Sequence, residues 1–222
     1  MRIGFYGGSF DPPHCGHLAV ARAAAEAFAL DRVLLAPTAR QPLKPQGAEA
    51  AFADRLAMVR LLCEGQYGLE ASELEAPELE APSAASESVA AGRPNYTRPN
   101  YTIDTLRHLR ARLQPGDEIF VVVGIDAFLD LDRWRDPRGL LAAAQWVVVT
   151  RPEFATARLD SMQLSPAERE RVHVLSEVQV PASATEIRRR LQAGEDCSEW
   201  LPQPVLDYIR KRGLYQQIHA EN

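Results

Sequence analysis

Two stretches, Ile119–Val123 (Ile-Phe-Val-Val-Val) and Trp146–Thr150 (Trp-Val-Val-Val-Thr), are almost continuously apolar over the length of a strand. A strand that is apolar on both faces must be covered on both faces, which calls for a parallel sheet wrapped by helices. The rest of the chain repeats this alternation. Arg2–Tyr6, Arg32–Ala36, Tyr67–Ala71 and Val172–Leu175 read as further strands, the first broken by Gly7-Gly8 and the second ended by Pro37. Leu18–Leu30, Phe52–Cys63, Thr102–Leu113, Thr185–Leu191 and Val205–Arg212 carry apolar residues at helical intervals. The expected architecture is α/β, a doubly wound parallel sheet, with a small helical part at the C-terminal end. At 222 residues the chain is long enough for one such domain over 1–222.

One segment breaks the pattern. Glu73–Pro77 (Glu-Leu-Glu-Ala-Pro) repeats at once as Glu78–Pro82, and Arg93–Thr97 (Arg-Pro-Asn-Tyr-Thr) repeats as Arg98–Thr102. Ser83–Gly92 between them lacks large apolar residues, so 73–98 reads as a low-complexity insertion loop within the domain. Lengthening a surface loop costs little entropy, so a tolerated insertion explains it, with a regulatory or partner-binding role as the alternative.

Composition excludes several classes. A net charge of −5 speaks against a general nucleic-acid binder, although one pocket can still be basic. No stretch reaches the roughly 18 uninterrupted apolar residues of a membrane span. Cys15, Cys63 and Cys197 are too scattered for a disulfide framework or a CxxC zinc site. With no apolar leader visible after Met1, a cytoplasmic location is expected.

The chemistry concentrates where the first strand meets the first helix, in Gly7-Gly8-Ser9-Phe10-Asp11-Pro12-Pro13-His14-Cys15-Gly16-His17-Leu18. Glycines let the backbone approach a ligand closely, and a helix N-terminus presents unpaired N–H groups to an anion. His14 and His17, three residues apart, face the same way on a helical turn, and Gly16 adds no bulk between them. Asp11-Pro12-Pro13 reads as a turn that aims them into a cleft. Two other readings stand beside this one. The histidines could ligate a metal, although Cys15 points away and no further ligand cluster is visible, or they could simply cap and pack.

This segment resembles the signature of the HxGH nucleotidyltransferase superfamily. Further motifs occur in family order: Asn100 to Leu106 (Asn-Tyr-Thr-Ile-Asp-Thr-Leu), Val123-Gly124-Ile125-Asp126, Arg133-Trp134, Thr150-Arg151-Pro152, Ser183 to Arg188 (Ser-Ala-Thr-Glu-Ile-Arg), and Leu201-Pro202 through Gly213-Leu214-Tyr215. Together they resemble the bacterial nicotinate-nucleotide adenylyltransferases over nearly the whole chain outside the insertion. The resemblance implies a Rossmann-like fold and transfer of the adenylyl group of ATP to nicotinate mononucleotide, releasing pyrophosphate. A phosphopantetheine or nicotinamide mononucleotide acceptor is the alternative. It also implies Mg²⁺ carried in with ATP, since no acidic cluster is dedicated to a metal. Nucleic acid and membrane are not expected as partners, while a homo-oligomer is compatible with the sequence.

The resemblance assigns His14, His17 and Arg188 to catalysis, and Gly7, Gly8, Ser9, Phe10, Gly124, Asp126, Ser183 and Thr185 to ATP. It assigns Lys44, Thr102, Trp134 and Arg151 to the acceptor. Read by themselves, these residues have plainer alternatives. Gly124 and Asp126 could be a strand-ending glycine and a capping acid, and Trp134 a core residue as readily as a stacking plate. Ser183 and Glu186 fit a capping box. Arg189 and Arg190 are expected in solvent, because three adjacent residues cannot share one helix face. Thr102 is the expected pocket residue over its duplicate Thr97, because it directly precedes Ile-Asp-Thr-Leu. Three positions depart from the family pattern: Leu43 in place of a histidine, Arg135 where an aromatic is frequent, and Ala182 where isoleucine is usual.

Overall fold

The computed structural model describes residues 1–43, 46–77, 99–150, 159–176, 178 and 183–216. The strands are β1 (Arg2–Gly8), β2 (Arg32–Pro37), β3 (Leu69–Ala71), β4 (Glu118–Gly124), β5 (Gln145–Val149) and β6 (Val172–Leu175). They form one six-stranded sheet in the order β3-β2-β1-β4-β5-β6. Every pairing is parallel. The described helices are α1 (Cys15–Ala27), α2 (Phe52–Cys63), α3 (Thr102–Arg110), α4 (Ile125–Leu129), α5 (Pro137–Ala143), α6 (Pro166–Arg169), α7 (Ala184–Gln192) and α8 (Gln203–Arg212), with a single 3₁₀ turn at Leu131–Arg133.

The expected doubly wound sheet is therefore present, and its order fixes where a ligand can sit. The chain runs outward from β1 to β3, then returns to lay β4 on the other side of β1. Loops leaving the C-terminal ends of β1 and β4 consequently diverge and open a crevice between them. Five consecutive buried residues of β4, Ile119 to Val123, meet the two-sided burial its composition demands. On one face Phe5, Val121 and Trp146 pack with Leu106 of α3, Phe128 of α4 and Leu140 of α5. On the other, Val33 and Leu35 pack with Ala21 of α1, Val59 of α2, Ile187 of α7 and Leu206 of α8. The C-terminal helices thus share a core with α1 and α2.

Several boundaries differ from the sequence reading. β1 does not break at Gly7-Gly8: both glycines continue the ladder, opposite Ala36 and Pro37. The first helix starts at Cys15, not Leu18, because His14 caps it, and it ends at Ala27 because Ala29 turns left-handed at φ 46°. α3 stops at Arg110, short of Leu113. Helices α4, α5 and α6 were not anticipated; at 5, 7 and 4 residues they are too short to show a period. The first copy of the duplicated pentapeptide is packed against the sheet. Ser72 donates its N–H to Leu35, Arg60 pairs with Glu73, and Glu75 is 3% exposed. Residues 78–98, including Thr97, lie outside the described residues.

Candidate active site

At the C-terminal end of β1 the need for glycine is steric. A Cβ on Gly7 would meet the Phe5 ring at 3.1 Å, and one on Gly8 would meet the Phe10 ring at 3.2 Å. The chain then turns sharply at Phe10, whose φ of 48° costs a non-glycine residue about 1–2 kcal/mol. Burial offsets that cost, since Phe10 is 1% exposed and packs edge-on against Tyr6 and beside His17. Its neighbour Asp11 is a hub. The carboxylate accepts from the N–H groups of Glu49 (2.7 Å) and Ala50 (3.1 Å) and from the Tyr215 hydroxyl (2.7 Å). The Asp11 carbonyl accepts from Arg188 Nη1 at 2.7 Å. One buried residue thereby fastens the β1–α1 loop to the start of α2, to α7 and to the C-terminal segment.

The histidines meet the capping reading. His14 is the N-cap of α1, and its Nδ1 accepts the Gly16 N–H at 3.1 Å. In return the His14 N–H donates to Nδ1 of His17 at 3.2 Å. This is a capping box built from imidazoles, and its chemical consequence lies on the far side of each ring. With both Nδ1 atoms accepting, each neutral ring must carry its hydrogen on Nε2. Burial pushes the His14 pKa down to about 4 and that of His17 well below its usual value, with His14 adding to the effect on His17. The ring centroids are 3.9 Å apart. At neutral pH the pair offers two adjacent N–H donors and no charge, which suits it to hold anionic oxygens, not to move protons. Among the described residues no three His, Cys, Asp or Glu side chains converge on a metal-sized site.

The capping box expected at Ser183 and Glu186 does not form. Ser183 is the N-cap of α7 but makes no side-chain cap bond. Glu186 instead accepts from Arg189 Nε (2.9 Å) and Arg190 Nε (2.8 Å), charge-assisted bonds stronger than a reach back to one neutral N–H. Those arginines hold its carboxyl down at about 2. Arg189 is exposed as expected, whereas Arg190 lies half-buried over Trp200, 4.3 Å from the ring centroid. Arg188 points the other way, bonded to Asp11 and 3.4 Å from Glu49. Ser183 and Thr185 are exposed at the start of α7.

Beside this loop cluster lies a cavity of about 440 Å³, lined among others by Gly7, Glu75, Tyr101, Thr102, Asp126 and Trp134. It abuts the β1–α1 loop through Gly7 but is not itself lined by His14, His17 or Arg188. The two halves of the expected site are therefore neighbours on either side of the β1 terminus. Thr102 is the first residue of α3, and Gly124 caps α4, whose first turn holds Asp126. Trp134 packs one edge T-shaped on Trp146, with centroids 6.2 Å apart, and its half-buried indole also forms cavity wall. Leu43 is exposed on the rim. Lys44, Arg151 and Ala182 lie outside the described residues.

Sequence reasoning missed several supports. Arg55, 1% exposed, donates to the carbonyls of Ser9 (2.6 Å) and Ala50 (3.1 Å). A charged residue inside the apolar pattern of 52–63 was the available signal. Glu75 lines the cavity and accepts from Thr105 Oγ1 at 3.0 Å, and burial pushes its carboxyl up. The Asp11–Tyr215 bond spans the chain and left no local trace.

Residues 5–190 match the family model described as cytidylyltransferase-like. A protein of Solibacter usitatus is 37% identical over 223 residues, covering 97% of this chain and all of its own length. One from Thermus thermophilus is 36% identical over 216 residues with the same coverage. Both bear the name "Probable nicotinate-nucleotide adenylyltransferase". The fold is shared with Plasmodium falciparum nicotinic acid mononucleotide adenylyltransferase complexed with NaAD, at a TM-score of 0.68 and 16% identity, over 96% of this chain and 97% of that one.

Proposed function

The chain belongs to the cytidylyltransferase-like family, and we infer that it is a nicotinate-nucleotide adenylyltransferase, moving the adenylyl group of ATP onto nicotinate mononucleotide. The observation that carries the site assignment is the imidazole capping box. Its two uncharged Nε2–H donors stand at a helix N-terminus next to a cavity walled by Trp134.

The reaction makes few demands on acid–base chemistry. A phosphate oxygen of the mononucleotide attacks the α-phosphorus of ATP, forming one P–O bond as the bond to the β-phosphate oxygen breaks and pyrophosphate departs. The nucleophile is already anionic at pH 7, so no base is needed, and the protein's task is to position and to stabilise charge. His14 and His17 donate to oxygens of the transferring and leaving phosphates. Arg188, held by Asp11 and Glu49, supplies the cation for the β/γ end. Gly7, Gly8, Ser9 and Phe10 form the bed beneath the phosphates, while Gly124, Asp126, Ser183 and Thr185 border the nucleoside and phosphates of ATP. On the acceptor side, Trp134 and Thr102 form the wall and Lys44 and Arg151 add positive charge.

A divalent cation accompanies ATP in enzymes of this kind, and Mg²⁺ is the fitting ion. The nucleotide's own phosphates would hold it, and it would supply charge neutralisation there.

Pyrophosphate release from ATP and Mg²⁺, followed with nicotinate mononucleotide, nicotinamide mononucleotide and phosphopantetheine in turn, tests the assignment. The nicotinate compound should give the highest kcat/KM. A higher value with either other acceptor overturns the reading.

A further inference from the structure

Trp134 is flanked by two arginines, and both line the cavity. They are held differently. Arg133 faces Asp130 three residues back, at 3.4 Å. Arg135 reaches across to α3 and lies over the ring of Tyr101, with its Cζ 4.8 Å from the centroid. One of its nitrogens faces Asp104 Oδ2 at 3.4 Å, but the other oxygen of that carboxylate accepts from Arg107 at 2.9 Å. The acid is thus shared, and Arg135 has the longer contact. A guanidinium over an aromatic face keeps its N–H donors available at its edge to meet a planar anion.

The charges around the cavity sharpen the point. Among the described residues that line it, Asp126, Asp130 and Glu75 are the acidic side chains. Asp130 is paired with Arg133, and buried Glu75 is bonded by Thr105. Trp134, Tyr101 and Arg135 thus share the cavity wall, with the Arg135 guanidinium lying over the Tyr101 ring.

We propose that Arg135 sets acceptor preference, its guanidinium on Tyr101 supplying the counter-charge for a carboxylate on the pyridine ring held against Trp134. This rests on the adenylyltransferase reading given above and deepens it. A ring carboxylate gains from a facing guanidinium, whereas the corresponding neutral amide gains little, so the side chain discriminates by charge. Because the Arg135 side chain is 58% exposed, solvent screens the interaction, and its effect is that of a surface ion pair, roughly fivefold in kcat/KM.

The test uses the full chain with saturating ATP and Mg²⁺, following pyrophosphate release against each mononucleotide for wild type, Arg135→Gln and Arg135→Lys. Arg135→Gln should raise KM for nicotinate mononucleotide roughly fivefold. KM for nicotinamide mononucleotide and for ATP should stay within about twofold, and Arg135→Lys should fall between. Added salt should erode the wild-type preference and leave that of Arg135→Gln unchanged. If Arg135→Gln shifts both acceptors equally, or neither, the proposal is overturned while the adenylyltransferase reading survives. If wild type releases no pyrophosphate with either acceptor, both fall together. Thermal melts of the variants exclude loss of fold as the cause.

Discussion

Replacing His17 by alanine separates the two jobs of the imidazole. The first loss is the Nε2–H donor, and removing one preorganised donor from a developing oxyanion typically lowers kcat by about 10²–10³-fold, or 2.7–4 kcal/mol. The second is the acceptor for the His14 N–H at 3.2 Å, a helix cap worth about 1 kcal/mol. The third is ring packing against Phe10, with centroids 4.8 Å apart, bringing the destabilisation to about 2 kcal/mol. For a chain of this size that lowers Tm by roughly 4–8 °C. Alanine is a good helix former, so the protein stays folded at 25 °C and kcat can be measured. His17→Asn is the control: its Oδ1 can still accept from the His14 N–H, so Tm should recover by a few degrees while kcat stays low. Turnover is measured as pyrophosphate release at saturating substrates, and stability as a thermal melt on the same samples. A His17→Ala enzyme with a lowered Tm but kcat within threefold of wild type would show that the ring only caps the helix, and the catalytic assignment would be lost.

Other expectations follow from the same geometry. The native pKa of His14 lies at about 4, below its usual 6.5, so its contribution to stability is complete above pH 6.5 and is lost as pH falls toward 4. The full contribution is about 3 kcal/mol, and His14→Asn should flatten the urea midpoint between pH 7 and 4.5; an unchanged slope would refute this. Glu75 has the opposite sign. Its native pKa is raised above 4.5, so stability is lost as pH climbs from 4.5 through the native value. Glu75→Gln should then be at least as stable as wild type at pH 8, and a clear loss there would mean that the ionised carboxylate is a net stabiliser. Tyr215→Phe removes a 2.7 Å hydrogen bond to buried Asp11 and should cost about 1.5–3 kcal/mol. Because Asp11 anchors Arg188, KM for ATP should rise more than KM for the acceptor, and an equal rise in both would argue against the coupling.

The residues that declared themselves in sequence did so because their physics is local. Ile119–Val123 could only be a strand covered on both faces, and that one fact led to the parallel sheet. Gly7, Gly8, His14 and His17 stood out because the need for small residues at a strand end and for a cap at a helix start operates over a few positions. The cap at Ser183 shows the limit of such reasoning. Its pattern was correct, yet Glu186 found two guanidinium groups on its own helix and left the serine without its partner.

The amino-acid order by itself determined the sheet-and-helix alternation, the glycine- and histidine-bearing junction of β1 and α1 and, through the density of motifs, the family. Tertiary structure alone decided how deeply the two histidines are buried, and with it the lowering of their pKa values. It alone gave Trp134 both a core edge and a cavity face, and it placed Glu75 of the first pentapeptide copy in the interior although an identical copy follows. Burial, hydrogen-bond direction and pKa belong to the environment that distant residues create, as when Tyr215 reaches across the molecule to Asp11.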